Sequence, residues 1–186
     1  MGDFQTLPAD LPAPVDDGAC AHLTGQRWPA LPLPGTDGQQ HDVSAWPGRS
    51  VVYAYPKTAR PDHAMPDDWD MLPGARGCTP QSCAFRNHHA ELAAAGARVV
   101  GLSVQDTAYQ QEAAARLHLP FALLSDADMA LAQALALPTF EAGGETLLCR
   151  VTLIVRDGVI EHVFYPVFPP DRNAQDVLAW LSAHPA

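Results

Sequence analysis

Cysteine is scarce in this chain, four in 186 residues, too few to act as a disulfide framework for a domain long enough to build its own core. Basic residues are scarce as well. Eleven Lys and Arg stand against 21 Asp and Glu, a net charge of −10, and no Lys/Arg run occurs. That balance argues against a protein that tracks nucleic-acid phosphates or lies on an anionic membrane, and leaves neutral, small or basic partners. No apolar stretch approaches the roughly 18 to 20 residues of a membrane span, and residues 1–10 carry neither a basic nor an apolar leader region. The cytoplasm is therefore the expected location. What the chain does have is 47% hydrophobic and only 17% charged residues, which excludes disorder as the main state. A chain of this size buries roughly two thirds of its unfolded surface.

Residues 1–25, rich in Pro, Ala and Asp, show no sustained apolar period and are expected to form an irregular extension without a visible core; residues 26–186 form one domain. Residues 30–33 and 40–43 flank Gly35-Thr36-Asp37-Gly38 and predict a small hairpin. The run 50–55 is nearly all apolar, as in a strand buried on both faces, and stops at Pro56. Prolines, glycines and aspartates crowd 57–77, a composition for a long loop, and long loops in compact domains are often functional. Thr79-Pro80 then opens a helix that Gly96 ends. Strands follow at 98–104 and 121–124 and helices at 107–118 and 128–136. Two long strands, 145–155 and 159–168, are joined by Asp157-Gly158, a strong hairpin signal, and a helix at 172–182 closes the chain. This order predicts an α/β fold with a mixed central sheet flanked by helices.

The chemistry concentrates at Gly77-Cys78-Thr79-Pro80-Gln81-Ser82-Cys83-Ala84-Phe85-Arg86, where a buried strand, a long loop and a helix start converge. At the first helical turn, free backbone N–H groups and the helix dipole favour a thiolate at Cys78, the reactive form. Cys78, Cys83, His88 and His89 offer four metal ligands, but five-residue steps rotate about 140° on a helix and fan the first three around the axis; a surface or partly buried place is the preferred reading of the histidines. A structural disulfide meets a similar obstacle. At about 1.5 Å rise per residue the two Cα atoms lie more than 7 Å apart, beyond disulfide reach unless the turn unwinds. A pair that must melt local structure to join suits a redox cycle. Peroxide reduction fits: the thiolate takes one peroxide oxygen, becomes a sulfenic acid, and a second thiol condenses with it. The leaving oxygen gains negative charge, so a cation, an arginine, should face it.

These residues resemble the peroxiredoxins, within them the Q-type or bacterioferritin comigratory subgroup. The resemblance runs from about Gly25 to the C-terminus. It rests most on Gly77-Cys78-Thr79 followed by Cys83 and Phe85-Arg86, and further on 53–57 (Tyr-Ala-Tyr-Pro-Lys), 99–103, 119–126 and Arg150-Val151-Thr152-Leu153-Ile154. It implies a thioredoxin-like fold and a thiol peroxidase of the atypical two-cysteine type, free of metal, haem and flavin, active on hydrogen peroxide and organic hydroperoxides. Cys78 would be peroxidatic, Cys83 resolving through an intramolecular disulfide, and Arg150 the peroxide-polarising group. Thioredoxin, or a glutaredoxin, would regenerate the enzyme, and a monomer is the expected state. The chain departs from the family where Pro and Thr would precede the peroxidatic cysteine by seven and three residues: Met71 and Ala75 stand there. Pro56 follows the aromatic strand as the family's Pro does, so a long insertion between Pro56 and Cys78 is the simplest account. Pro56, Thr58 and Gly77 are then the candidate substrate-binding residues, with Arg76 or backbone N–H groups in place of Thr58 if its hydroxyl is absent from the site. The insertion would act as a lid that limits peroxide size. Cys149 reads as a core filler, Cys20 as free or paired between molecules.

Two other functions compete: a dithiol oxidoreductase, for which Cys-x-x-Cys spacing is usual and four intervening residues are not, and a redox sensor that switches partner binding through Cys78 and Cys83.

Overall fold

The chain enters its domain through a short antiparallel pair, β1 (Leu33–Pro34) and β2 (Gln40–His41), and from there feeds the central strand β3 (Arg49–Ala54), every residue of which is buried. The structure is a computed structural model in which residues 6–185 are described. After β3 come α1 (Cys78–Asn87), α2 (His89–Ala94), β4 (Ala97–Ser103), α3 (Thr107–Arg116) and β5 (Leu123–Ser125). The second half holds α4 (Ala130–Leu135), β6 (Thr139–Ala142), β7 (Glu145–Leu148), β8 (Val151–Arg156), β9 (Val159–Phe164) and α5 (Asn173–Ala183).

The main sheet has the order β5-β4-β3-β8-β9. β3, β4 and β5 run parallel, while β8 is antiparallel to both β3 and β9. Because side chains alternate along a strand, β3 divides its residues between two cores. Val52 and Ala54 pack with Leu102, Leu153 and the α4 residues Leu131 and Leu135 on one face; Val51 and Tyr53 pack with Phe85, Leu92 and Val177 on the other. Covering both faces explains why the parallel strands read as unbroken apolar runs. Among the described residues no helix is long and apolar enough to cross a membrane. The fold is the mixed α/β, thioredoxin-like one expected.

Several boundaries differ from the sequence reading. The expected hairpin is two residues deep on each side. The helix begins at Cys78 itself and breaks at His88 (φ −100°, ψ 10°), giving α1 and α2 in place of one helix ending at Gly96. The expected strand 145–155 is two strands. Cys149 and Arg150 leave the ladder between them, and β7 pairs instead with β6 across a Gly143-Gly144 turn. The strand expected over 159–168 stops at Phe164, ahead of the prolines at 166, 169 and 170. The Asp157-Gly158 hairpin is present, with φ of +49° and +75°, and Gly158 is required twice over, since a Cβ there would lie 2.5 Å from the Ser44 carbonyl oxygen.

Within the expected extension the backbone is irregular, yet Cys20 and Leu23 are buried in the core. A thiol so placed is not available for pairing between molecules. Segment 57–77 lacks regular strands or helices apart from one 3₁₀ turn at Trp69–Met71. It is anchored by Trp69, buried with Ala75, Ala142 and Leu147, and by an Asp70–Arg76 ion pair of 2.8 Å.

Candidate active site

Cys78 is the first residue of α1, and the conformation of Gly77 puts it there. Gly77 caps the helix with φ of +112°, a region that side chains avoid, and a Cβ on it would lie 2.3 Å from Pro170 Cγ. Its carbonyl accepts from Gln81 N at 3.0 Å, closing the first turn. Cys78 is 3% exposed. Its sulfur lies 3.2 Å from Arg150 Nη2 and 3.6 Å from the Ala75 carbonyl oxygen.

Arg150 reaches this point because the sheet ladder is broken just before β8. Its Nη2 also donates to the carbonyls of Ala75 (3.1 Å) and Arg76 (3.3 Å), and its Nη1 donates to Gln81 Oε1. The amide of Gln81 is oriented in turn: its Nε2 donates to Asn173 Oδ1 at 2.9 Å, and Asn173 Oδ1 also accepts from Thr152 Oγ1 at 2.7 Å. Arg150, Gln81, Thr152 and Asn173 are all buried. The partners of Nη1 and Nη2 offset much of the cost of burying a guanidinium, although Nε has none among the described residues, and this chain of acceptors fixes the cation beside the sulfur. Tyr53 and Tyr55 wall the other side. The Tyr53 ring stacks on Phe85 at 4.5 Å and its hydroxyl donates to Ser82 Oγ at 3.1 Å. Burial pushes the Tyr55 phenol up, and the nearby Cys78 sulfur adds to the rise.

Of the residues named from the sequence, Gly77, Cys78 and Arg150 stand together. Cys83 lies one and a half turns along α1 and is partly exposed; all four cysteines are free thiols. Pro56 is buried just beyond β3. Thr58 is also buried, but its hydroxyl and backbone N–H both donate to Gln105 Oε1, at 3.2 and 3.0 Å, whereas the Cys78 sulfur meets the Ala75 carbonyl and Arg150. Ala75, at the position where the family carries Thr, contributes its carbonyl instead of a side chain. The histidines weighed as ligands turn elsewhere: His88 Nδ1 lies 2.8 Å from Glu91 Oε1, and the His89 ring tilts against Phe121. Burial pushes the Cys149 thiol up to about 11, with Asp17 adding to it. It pushes Cys20 up to about 12, with Cys149 next in effect. Both remain protonated near neutrality and are poor nucleophiles.

The sequence reading missed Gln81 and Asn173. Gln81 had a signal, because three residues after Cys78 it shares that residue's helix face. Asn173 had none; its partner is 92 residues away.

A thiol at a helix mouth, on a mixed sheet of this order and facing a buried arginine, defines a thioredoxin-like thiol protein. The model of the redoxin family matches residues 23–178. Peroxiredoxin Bcp of Escherichia coli is 32% identical over 170 residues, covering 86% of this chain and 96% of that protein. The chloroplastic peroxiredoxin Q of rice (japonica) is 31% identical over 161 residues, and the chain spans 66% of its length. Among solved structures, the peroxidoxin BcpB of Mycobacterium tuberculosis superposes with a TM-score of 0.71 at 26% identity, over 89% of this chain and all of that one. The bacterioferritin comigratory protein of Xanthomonas campestris, whose structures concern alkyl peroxide reduction, gives 0.67 at 25% identity, covering 95% of this chain and 100% of that chain. The chain belongs to the redoxin family, as a peroxiredoxin of the Q and Bcp type.

Proposed function

We propose that the chain is a thiol-dependent peroxidase that reduces hydrogen peroxide and organic hydroperoxides at Cys78, in antioxidant defence. The single observation that carries this reading is the 3.2 Å contact between the Cys78 sulfur and the Arg150 guanidinium, at a helix N-terminus. The fixed cation offsets the charge of a thiolate before reaction and of the departing oxygen during it. The thiolate attacks the outer peroxide oxygen; the S–O bond forms, the O–O bond breaks, and the alkoxide or hydroxide leaves and takes up a proton. Cys78 is oxidised to a sulfenic acid and the peroxide is reduced to alcohol or water. Cys83 then attacks the sulfenic sulfur, expels water and leaves a Cys78–Cys83 disulfide. Thioredoxin, or a glutaredoxin, restores both thiols by exchange. The reaction needs no metal or organic cofactor, a monomer holds every group it uses, and a reducing compartment such as the cytoplasm supplies the reductant.

The test is Cys78→Ser in an assay that couples peroxide loss to thioredoxin oxidation. Turnover should disappear, because an alcohol is a far weaker nucleophile than a thiolate at neutral pH. Retained turnover would refute the assignment of the nucleophile.

A further inference from the structure

Arg150 and Thr152, two residues apart in sequence, are the two ends of a ring of buried polar groups drawn from β8, α1 and α5. Arg150 Nη1 donates to Gln81 Oε1, Gln81 Nε2 donates to Asn173 Oδ1 at 2.9 Å, and Thr152 Oγ1 donates to the same Asn173 oxygen at 2.7 Å. Gln81 lies in the first turn of α1 and Asn173 is the first residue of α5. Gln81, Thr152 and Asn173 are each no more than 1% exposed, so bulk water does not stand in for a missing partner. The 3₁₀ turn that leads into Asn173, Pro170–Arg172, places Pro170 against Gly77. One stretch, 170–173, thus meets the turn that carries Cys78 at two points, Gly77 before the sulfur and Gln81 after it.

The ring has a direction. A guanidinium carries donors alone, while a primary amide has one accepting and one donating end. Gln81 can therefore meet Arg150 only through Oε1, which commits Nε2 to the opposite side, where Asn173 Oδ1 receives it. The Thr152 hydroxyl, donating to the same oxygen, holds the Asn173 amide in that sense. Remove the acceptor at 173 and Gln81 Nε2 becomes a buried donor without a partner, a costly arrangement that the side chain escapes by turning elsewhere. Arg150 Nη1 then loses its acceptor. Since Arg150 Nε already has none among the described residues, the guanidinium keeps its place only through Nη1 and Nη2, and it is Nη2 that reaches the Cys78 sulfur at 3.2 Å.

We propose that Asn173 is a positioning residue for peroxide reduction: by accepting from the Gln81 amide it turns the carbonyl end of Gln81 to Arg150 and so holds the guanidinium against the Cys78 sulfur. Asn173 touches neither the sulfur nor the substrate and acts through Gln81 alone. Its effect is confined to the oxidative half of the cycle, because the ring needs the first turn of α1 intact and that turn unwinds when Cys78 joins Cys83. The proposal rests on the peroxidase reading above and adds a residue 95 positions from Cys78 in sequence.

The experiment measures kcat/KM for hydrogen peroxide and, separately, for thioredoxin in the wild type, Asn173→Leu and Asn173→Asp, and repeats Asn173→Leu in a Gln81→Glu background. Leucine offers no acceptor and should lower kcat/KM for peroxide about 10-fold, less than the order of 10²-fold expected when a charge-stabilising donor itself is lost, while kcat/KM for thioredoxin stays within about twofold. Aspartate keeps the accepting oxygen and should hold the peroxide value within about threefold of wild type; this arm decides the question even if Asn173→Leu does not fold. A carboxylate at position 81 accepts through both oxygens and has no end to be turned, so in that background Asn173→Leu should cost less than about twofold. Equal losses with peroxide and with thioredoxin, the same loss in both backgrounds, or a tenfold loss in Asn173→Asp would mean that Asn173 only supports the fold, and would overturn the positioning role while leaving the peroxidase reading in place. A wild type that consumes no peroxide would overturn the peroxidase reading and the positioning role with it.

Discussion

At Gly77 backbone conformation and reactivity meet. Its φ of +112° aims Cys78 into the first turn of α1, and Pro170 occupies the space a side chain would need. Gly77→Ala therefore meets both backbone strain and a steric clash. It should lose about 1–3 kcal/mol of stability, read as a lower urea midpoint, together with peroxide activity, because relief of the clash moves Cys78 away from Arg150. An unchanged midpoint and rate would show that the turn tolerates a side chain. Arg150 makes the complementary case. Its forked guanidinium spans the Cys78 sulfur, two carbonyls and Gln81 at once, which a single ammonium does not do. Arg150→Lys should lower kcat/KM for hydrogen peroxide on the order of 10²-fold, the scale of removing one charge-stabilising donor. A loss under threefold would place the polarising group elsewhere. The two cysteines set aside from chemistry, Cys20 and Cys149, are explained at this scale too, since burial keeps both protonated.

Among elements, α1 has to be both rigid and able to melt. Five helical steps lead from Cys78 to Cys83, about 7.5 Å of rise and a rotation of about 140°, and no disulfide forms across that geometry without unwinding. Peroxide-oxidised protein should exchange the amide hydrogens of residues 77–83 faster than reduced protein. Equal protection in the two states would contradict an intrahelical disulfide. Cys83→Ser should leave the first oxidation intact, slow recycling by thioredoxin and accumulate sulfinic acid at Cys78 under repeated peroxide. Wild-type turnover in that variant would remove Cys83 from the resolving role. The elements themselves were unevenly legible. The Asp157-Gly158 turn carried its own signature, and the hydrophobic run of β3 announced a strand covered on both sides. Residues 145–155 misled because Leu147 through Val155 is almost continuously apolar, and nothing local says that Arg150 must leave the ladder to reach a sulfur 72 residues away. The Gly143-Gly144 turn between β6 and β7 was visible, since such a pair favours a tight hairpin, but the longer apolar run outweighed it. Pro166 and the prolines after it, which remove ladder donors, should have shortened β9.

For the molecule as a whole, the fold brings distant stretches to one point. The mixed sheet and the cysteine-bearing helix were readable from alternation, spacing and resemblance. The buried polar chain through Thr152, Asn173 and Gln81 was not, because it depends on how α5 docks beside α1. The same long-range closure fastens the strand ends. Arg49 at the start of β3 grips Glu161 of β9 with two hydrogen bonds of 2.8 Å, across β8. Hydrogen bonding from Arg49 holds the Glu161 carboxyl below its ordinary value, against a smaller opposing effect of burial. A depressed folded value means the pair stabilises the protein above the unfolded glutamate value, about 4.3, and loses its effect as pH falls through the lower folded value. Glu161→Gln should thus lower the urea midpoint at pH 7, with the gap to wild type narrowing by pH 3. A gap that is constant across that range would mean the carboxylate charge contributes nothing. The most direct measurement on the central claim treats fully reduced protein with one equivalent of hydrogen peroxide and maps every cysteine by mass spectrometry. The account predicts sulfenic acid on Cys78 at the earliest times, then a Cys78–Cys83 disulfide, with Cys20 and Cys149 still reduced. First oxidation at any other cysteine, or an unmodified Cys78 while peroxide is consumed, would contradict it.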